Sequence, residues 1–405
     1  MPTIQEGILS PHDGVATLRQ NIVEAIDAID PREIPFLATK GWQSGPPGAG
    51  GGGGAASAGA DSLPQPCIQR TYTWQNDSLI PVSTTLRTAH ASGDGLLLVA
   101  ANTADYFQVD EIVVLTSGAN TSRFEITAID AVADNISVTV VDGDAAHVAN
   151  TEVLSAGRPR PIGDQAPTTG RVTVLGTDDN YTQIYMDTVA VTGSEQASES
   201  VGISNRLDRE TQKKLQELVI RMETNALYGA RSTSATVTRS RMGGVYQYIA
   251  VDASGITLNG NAGNLSTNED LLKDLLDDIW EQGGTPDTLM VNDFQRRNIS
   301  SFLAPFVRTS RDEGVAGVVV GQYEYSYGTL NVVLNRYVRQ QHLFALTMDM
   351  IGIGPLRGNG EDRSFHTSDL AHTGDYVTRM ILGEYTMAVR NRTRAHGLLF
   401  NLAIS

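Results

Sequence analysis

Between residues 205 and 228 the sequence sets Leu215, Leu218, Val219, Met222 and Ala226 on one stripe at helical spacing. Glu210 with Lys214, Lys213 with Glu217, and Glu217 with Arg221 stand four residues apart on the outer side, where opposite charges support a helix. Gly229 follows, able to take the left-handed conformation that closes a helix. A rod of this kind draws most of its stability from packing its apolar face, so the rest of the chain has to supply a surface for it.

A second helix is expected from Thr267, whose hydroxyl can cap the first turn with Asp270 three residues on. Leu271, Leu272, Leu275, Leu276, Ile279 and Trp280 form its apolar face, and Gly283 with Gly284 ends it. A strand at 289–291 leads into a third helix after Asn292. Near the start, Val15, Leu18, Ile22, Ile26 and Ile29 mark another helical stripe, stopped by Pro31 and Pro35. Residues 45–60 are Gly- and Ala-rich and read as a flexible linker.

Segments 71–74, 79–84, 96–100, 111–116, 123–129, 136–141 and 151–155 are short, rich in Val, Ile and Thr, and punctuated by Gly, Asn and Asp. The stretch from about 86 to 165 therefore reads as a small separate β-barrel or sandwich. Strands recur at 180–191, 330–334, 343–348, 376–382, 386–390 and 398–402. Helices among mixed strands, with a β-rich insertion and no internal repeat, make the fold class α+β.

A chain of 405 residues exceeds one ordinary core and suggests two or three packed units. No apolar run is long enough to span a membrane, and residues 1–10 lack the pattern of a secretory signal, so synthesis in a cytoplasm is expected. The formal charge of −16 weighs against a protein that grips nucleic acid, which needs a cationic footprint. Lysine occurs only at positions 40, 213, 214 and 273, leaving arginine, the better interface cation, as the main positive charge.

Reactive constellations are weak. Glu361, Asp362, His366, Asp369 and His372 fall in one stretch, but their spacing fits no zinc or calcium motif. The Gly352 to Gly358 segment carries Pro355 where a dinucleotide loop needs to open a helix. Gly54 is followed by Ala, not by the Gly-Lys-Ser/Thr of a phosphate loop. Cys67, the single cysteine, has no neighbouring histidine and reads as an inert thiol. Arg390, Arg392 and Arg394 alternate as if along a strand, suited to ion pairs with an acidic neighbouring subunit or, second, to a DNA-facing row. No catalytic, cofactor-binding or metal residue is assigned, no cofactor is expected, and the chain is not read as an enzyme.

Several signatures occur in a telling order. Asp30-Pro31 and Pro35-Phe36-Leu37 come first, then Thr73-Trp74-Gln75-Asn76-Asp77-Ser78-Leu79. Asn180-Tyr181-Thr182-Gln183-Ile184, the helix at 205–228, Arg241-Met242-Gly243-Gly244-Val245 and Arg394-Ala395-His396-Gly397 follow. Together they resemble the major capsid (major head) proteins of tailed double-stranded DNA bacteriophages, whose fold is shared by herpesvirus capsid floors and encapsulins.

The resemblance implies an N-terminal arm at 1–62 and an extended loop at 63–202 that contains the inserted β-barrel at about 86–165. A peripheral domain with the spine helix would occupy 203–244, an axial domain 245–380, and strands returning to the peripheral domain 381–405. It further implies self-assembly as hexamers and pentamers into an icosahedral shell enclosing the genome without sequence-specific binding. Portal and possibly scaffold or cement proteins would be partners, and the virion the location. Some capsids of this fold are welded through a lysine of the extended loop, and residues 61–202 hold none. An encapsulin-like compartment, or another structural virion protein, is the alternative the same residues leave open.

Overall fold

The computed structural model describes residues 33–40, 62–77, 79–160, 162–163, 173, 175–198, 205–232, 238–252, 255–303, 321–326, 328–372 and 374–404. The stripe at 15–29 and the Gly-rich run at 45–60 lie outside these residues. The chain divides into a compact unit at 76–176 and a second made of the residues on either side. Helix α1 (Pro35–Ala38) and strand β1 (Thr71–Asn76) precede the first unit.

That first unit holds β2 (Ser83–Thr85), β3 (Leu96–Leu98), β4 (Ile112–Ser117), β5 (Asn120–Asp130), β6 (Asn135–Asp142) and β7 (Glu152–Gly157). They form one antiparallel sheet in the order β2-β7-β4-β5-β6-β3. Arg87 N–H donates to Leu98 O (2.8 Å) and Ala100 N–H to Thr85 O (2.9 Å), about an isolated bridge between Leu86 and Val99 just past the ends of β2 and β3. Alternation decides the core: Val113, Leu115, Phe124, Ile126, Ile136 and Val153 point inward from successive strands. Two histidines are buried with them, His147 Nε2 lying 2.8 Å from Ser122 Oγ and its ring stacked on His90. The unit is wider than 86–165 because β2 pairs with β7 and so belongs to the sheet.

In the second unit the chain continues through β8 (Gly176–Tyr181), β9 (Gln183–Thr192), α2 (Gly193–Ala197) and α3 (Arg206–Tyr228). Then come β10 (Ile256–Asn259), α4 (Asp270–Glu281), β11 (Thr288–Val291), α5 (Asp293–Leu303), β12 (Gln322–Tyr325), β13 (Gly328–Leu334) and β14 (Leu343–Leu346). The last strands are β15 (Ile351–Pro355), β16 (Arg357–Gly358), β17 (Glu361–Asp362), β18 (His366–Asp369), β19 (Tyr376–Val389) and β20 (Gly397–Phe400). A mixed sheet, β10-β20-β14-β11-β13-β12, takes α4 on one face, where Leu272, Leu275, Leu276 and Ile279 meet Leu289, Val291, Leu343 and Leu399. A second sheet runs β15-β19-β18 with β9 also paired to β19, and α3 lies along it. Leu218, Met222, Ala226 and Leu227 of α3 join Tyr185, Phe344, Met387 and Leu398 in the largest core. The architecture is α+β with strands dominant.

Several local expectations are corrected. Helix α4 starts at Asp270, and the Thr267 hydroxyl donates to Asn264 O (3.1 Å) instead of capping it. Gly229 closes α3 at φ −58°, not left-handed, whereas Gly283 does take φ +85° after α4. Lys214 is paired with Glu217 at 2.7 Å and with Asp187 of β9 at 3.7 Å, so the helix charges reach the sheet. Residues 376–389 are one strand and not two. Residues 390–395 form a turn in which Asn391 takes φ +50°, so Arg390, Arg392 and Arg394 share no strand face. Arg392 is instead held inside its own unit by Asp178 and Asp252, both at 3.0 Å.

Candidate functional site

Pro35-Phe36-Leu37, the 180–184 segment and the 241–245 segment converge on the C-terminal half of α3, while Asp30-Pro31 lies outside the described residues. Glu223 sits there among the apolar side chains of the stripe and is fully buried. Pro35 opens α1 and lacks an N–H, so the next two backbone donors, on Phe36 and Leu37, are left over from the first turn. Glu223 accepts both, Oε1 from Phe36 N–H at 2.8 Å and Oε2 from Leu37 N–H at 2.9 Å. The Asn335 side-chain amide donates to Oε1 at 2.7 Å. One carboxylate thus joins residues 36–37, the spine of the fold, and the loop after β13.

Asn180 does the same for three other stretches. Its Nδ2 donates to Gly243 O (3.1 Å) and Met387 O (2.7 Å), and its Oδ1 accepts from Gly243 N–H (2.8 Å) and Tyr181 N–H (2.9 Å). Gln183 Oε1 accepts from Met242 N–H (3.0 Å) and from the Asn225 amide of α3 (3.1 Å). Trp74 packs edge-on to Tyr248 at 5.7 Å, and the Tyr248 hydroxyl donates to Asp179 O at 2.8 Å. His396 Nδ1 accepts from Thr347 N–H and its Nε2 bonds Arg390 O, each at 3.2 Å.

Two glycines make the approach possible. A Cβ on Gly244 would lie 2.6 Å from Asn225 O and Gly229 N and 2.8 Å from the Leu227 carbonyl carbon. A Cβ on Gly229 would lie 2.5 Å from both Asn225 O and Met242 O. Backbone atoms cannot swing aside as side chains do. Gly244→Ala is therefore expected to cost about 3 kcal/mol, read as a lowered urea midpoint; a change under about 1 kcal/mol would show that the 241–245 segment yields.

Electrostatics mark the junction as dry. Burial pushes the Glu223 carboxyl up to about 7, against the pull of its three donors. Burial holds His396 down to about 4, and burial with the Arg339 charge does the same for His342. The Tyr228 hydroxyl, also desolvated, is pushed up to about 12. Glu223, Asn180 and His396 terminate on backbone groups or amides, and His342 Nδ1 on the Tyr228 hydroxyl at 3.2 Å. That arrangement fixes geometry.

The other candidate residues are placed apart from it. Asp362 is held by Arg357 (3.0 Å) and Asp369 by Arg379 (2.7 Å), and among the described residues no His, Cys, Asp and Glu group gathers as for a metal ion. Gly352 lies in β15, where its Cβ would meet Ser62 O at 2.7 Å, so the glycine serves close strand packing. Cys67 is buried, with Sγ 3.1 Å from Gln69 O. Among the described residues no helix is long and apolar enough to cross a membrane. Sequence reading missed Glu223; the available signal was a charge set within the apolar stripe, one residue after Met222.

The ordered motifs at 35–37, 180–184 and 241–245 thus hold one another in place around α3, all within one unit of the chain. Residues 9–403 match the SU10 major capsid protein family, and the chain belongs to that family, as a shell-forming major capsid protein of the phage virion. No curated protein matches the chain. Among solved structures it is similar to one from Microbacterium phage Oxtober96, at 12% identity and a TM-score of 0.48, over 96% of this chain and 98% of that one. One from Mycobacterium phage Bobi shares 9% identity with a TM-score of 0.47, over 98% and 99%. The SrpI encapsulin complex of Synechococcus elongatus PCC 7942 shares 10% identity with a TM-score of 0.36, over 72% and 84%.

Proposed function

We propose that copies of this capsid protein close as hexamers and pentamers into an icosahedral head around a double-stranded DNA genome. Residues 1–62 serve as the arm and 63–202 as the extended loop, with the unit at 76–176 as its inserted barrel. Residues 203–244 carry the spine helix, 245–380 the axial domain, and 381–405 return to the peripheral domain. Portal and scaffold or cement proteins complete the particle, which assembles in the host cytoplasm. The isolated bridge between Leu86 and Val99, just past the ends of β2 and β3, supports a closed insertion.

The observation that carries the reading is apolar surface left open in the single chain. Ile68, Leu79, Ile184, Met186, Val251 and Trp280 are each at least half exposed. Ile184 and Met186 adjoin on one outward face of β9, contiguous exposed apolar surface marks an interaction site, and repetition of even modest interfaces around closed symmetry builds a stable shell. The net charge of −16 supports contents held by enclosure, since an acidic wall repels phosphate. Electron microscopy and sedimentation of the purified protein are expected to show closed particles or capsomers. A discrete small oligomer at every concentration overturns the reading, and particles filled with protein cargo and no DNA replace the head with an enzyme-holding compartment.

A further inference from the structure

We propose that the outer face of the β9–β19 sheet, with an arginine-lined cleft at its end, is the seat for residues 15–30 of a neighbouring copy. This rests on the shell reading and adds the place and chemistry of one contact.

The inner face of that sheet is occupied, with Val189, Val191 and Val377 packed on Leu207 of α3. Strand alternation and register fix what the other face presents. Ile184 stands opposite Glu384, Met186 opposite Leu382, Thr188 opposite Met380 and Ala190 opposite Thr378. Ile184 and Met186 are 52% and 55% exposed, and Met380 and Leu382 are half-buried beside them. From Met186 to Thr192 the β9 side of this face carries no charge.

At the Ile184 end the character changes abruptly. A cleft of about 680 Å³ opens there, lined by Gln183, Ile184 and four arginines, Arg70, Arg239, Arg241 and Arg363. Arg363 is already paired with Glu384 at 2.7 Å. Arg239 and Arg241 are exposed, and among the described residues neither has an ion-pair partner. A concentration of guanidinium groups in a chain of net charge −16, joined to an uncharged face, fits an occupant with an apolar stripe and carboxylates beside it.

The chain contains few such segments. Helix α4 is amphipathic and acidic, but Leu272, Leu275, Leu276 and Ile279 of its stripe are buried in its own unit, and α3 has no acidic excess. Residues 15–30 carry Val15, Leu18, Ile22, Ile26 and Ile29 on one stripe, with Glu24, Asp27 and Asp30 off it toward one end. The stripe suits the uncharged face and the acidic end suits the cleft. A short connection then joins Asp30 to Phe36, which Glu223 pins on the α3 side of the sheet. The seat is on the opposite side, so the segment that fills it comes from another copy. A head-to-tail contact of this kind closes around a ring.

The test is a disulfide made in the full chain after assembly. Ile26→Cys combined with Met186→Cys, oxidised in particles, is expected to give covalent dimers and higher multimers on a non-reducing gel. Either cysteine alone, or Ile26→Cys paired with Thr257→Cys, is expected to give none, since native Cys67 is buried. Particles that form normally without this cross-link, or with it closed inside single chains, overturn the seat and leave the shell reading standing. Wild-type protein that never forms particles overturns the shell reading itself. Independently, Arg239→Glu with Arg241→Glu is expected to raise the concentration needed for assembly about tenfold or more, and Glu24→Arg with Asp27→Arg to restore it. Assembly indifferent to the arginine reversal overturns the proposal.

Discussion

Asn180→Leu is expected to destabilise the unit that contains α3 by about 4 kcal/mol or more, an effect beyond ordinary core substitutions. The side chain is fully buried and uses all four of its hydrogen-bonding positions. Leucine fills a similar volume but leaves the carbonyls of Gly243 and Met387 and the N–H of Gly243 without that partner. Each buried orphan costs on the order of 1–3 kcal/mol. Asn180→Asp keeps the shape and turns two donors into acceptors aimed at two carbonyl oxygens, so it should be no milder. Trp74, 5.7 Å from the Tyr248 ring, lies at this junction and gives urea unfolding a local fluorescence signal. A shift below about 1 kcal/mol for Asn180→Leu would show that the junction relaxes around the loss, and that the motif does not hold β8, β19 and the 241–245 turn in place.

How much of this was legible follows from the range of each interaction. Helices α3 and α4 declare themselves because a stripe repeated every three or four residues is a local signal with one meaning. The strands of the unit at 76–176 are equally plain, since alternation and turn residues are local too. The end of α3 was misjudged for a reason the structure supplies. Gly229 is required by the close approach of Met242 O, not by a left-handed turn, and nothing near 229 in sequence announces a segment 13 residues later.

The remaining differences have the same origin. Thr182 interrupts one strand into β8 and β9, its buried hydroxyl donating to Glu384 at 2.6 Å. Glu384 falls in the gap between the strands expected at 376–382 and 386–390, yet Arg363 and Thr182 satisfy it and β19 runs through unbroken. The arginines at 390, 392 and 394 alternate on paper, and a single left-handed residue, Asn391, removes them from a common face. The recurring motifs were visible as an ordered set, while their joint purpose was not: Asn180 meets Gly243 and Met387 across 63 and 207 residues.

Glu223→Ala is expected to cost about 4 kcal/mol, because Phe36 N–H and Leu37 N–H then face a cavity and the Asn335 amide loses its acceptor. Hydrogen exchange at Phe36 and Leu37 should accelerate by orders of magnitude; unchanged protection would mean that α1 is held without the carboxylate. The pH response separates this group from its surroundings. With a folded value of about 7 against 4.5, Glu223 binds a proton more tightly in the fold, so its contribution is present at low pH and lost as pH rises through 7. His342 and His396, near 4 in the fold against 6.5, act oppositely, and their contribution is lost as pH falls from 6.5 to 4. Between about pH 5 and 6 two histidine protons oppose one glutamate proton, so these three groups together give stability that rises by about 1 kcal/mol per pH unit. Glu223→Gln removes the opposing proton while keeping most of the shape. Its stability at neutral pH should drop by about 2 kcal/mol, and its slope should steepen to about 2–3 kcal/mol per pH unit. Parallel pH profiles for the two proteins would show that Glu223 does not titrate near neutrality, and that its three donors outweigh the cost of burying the charge.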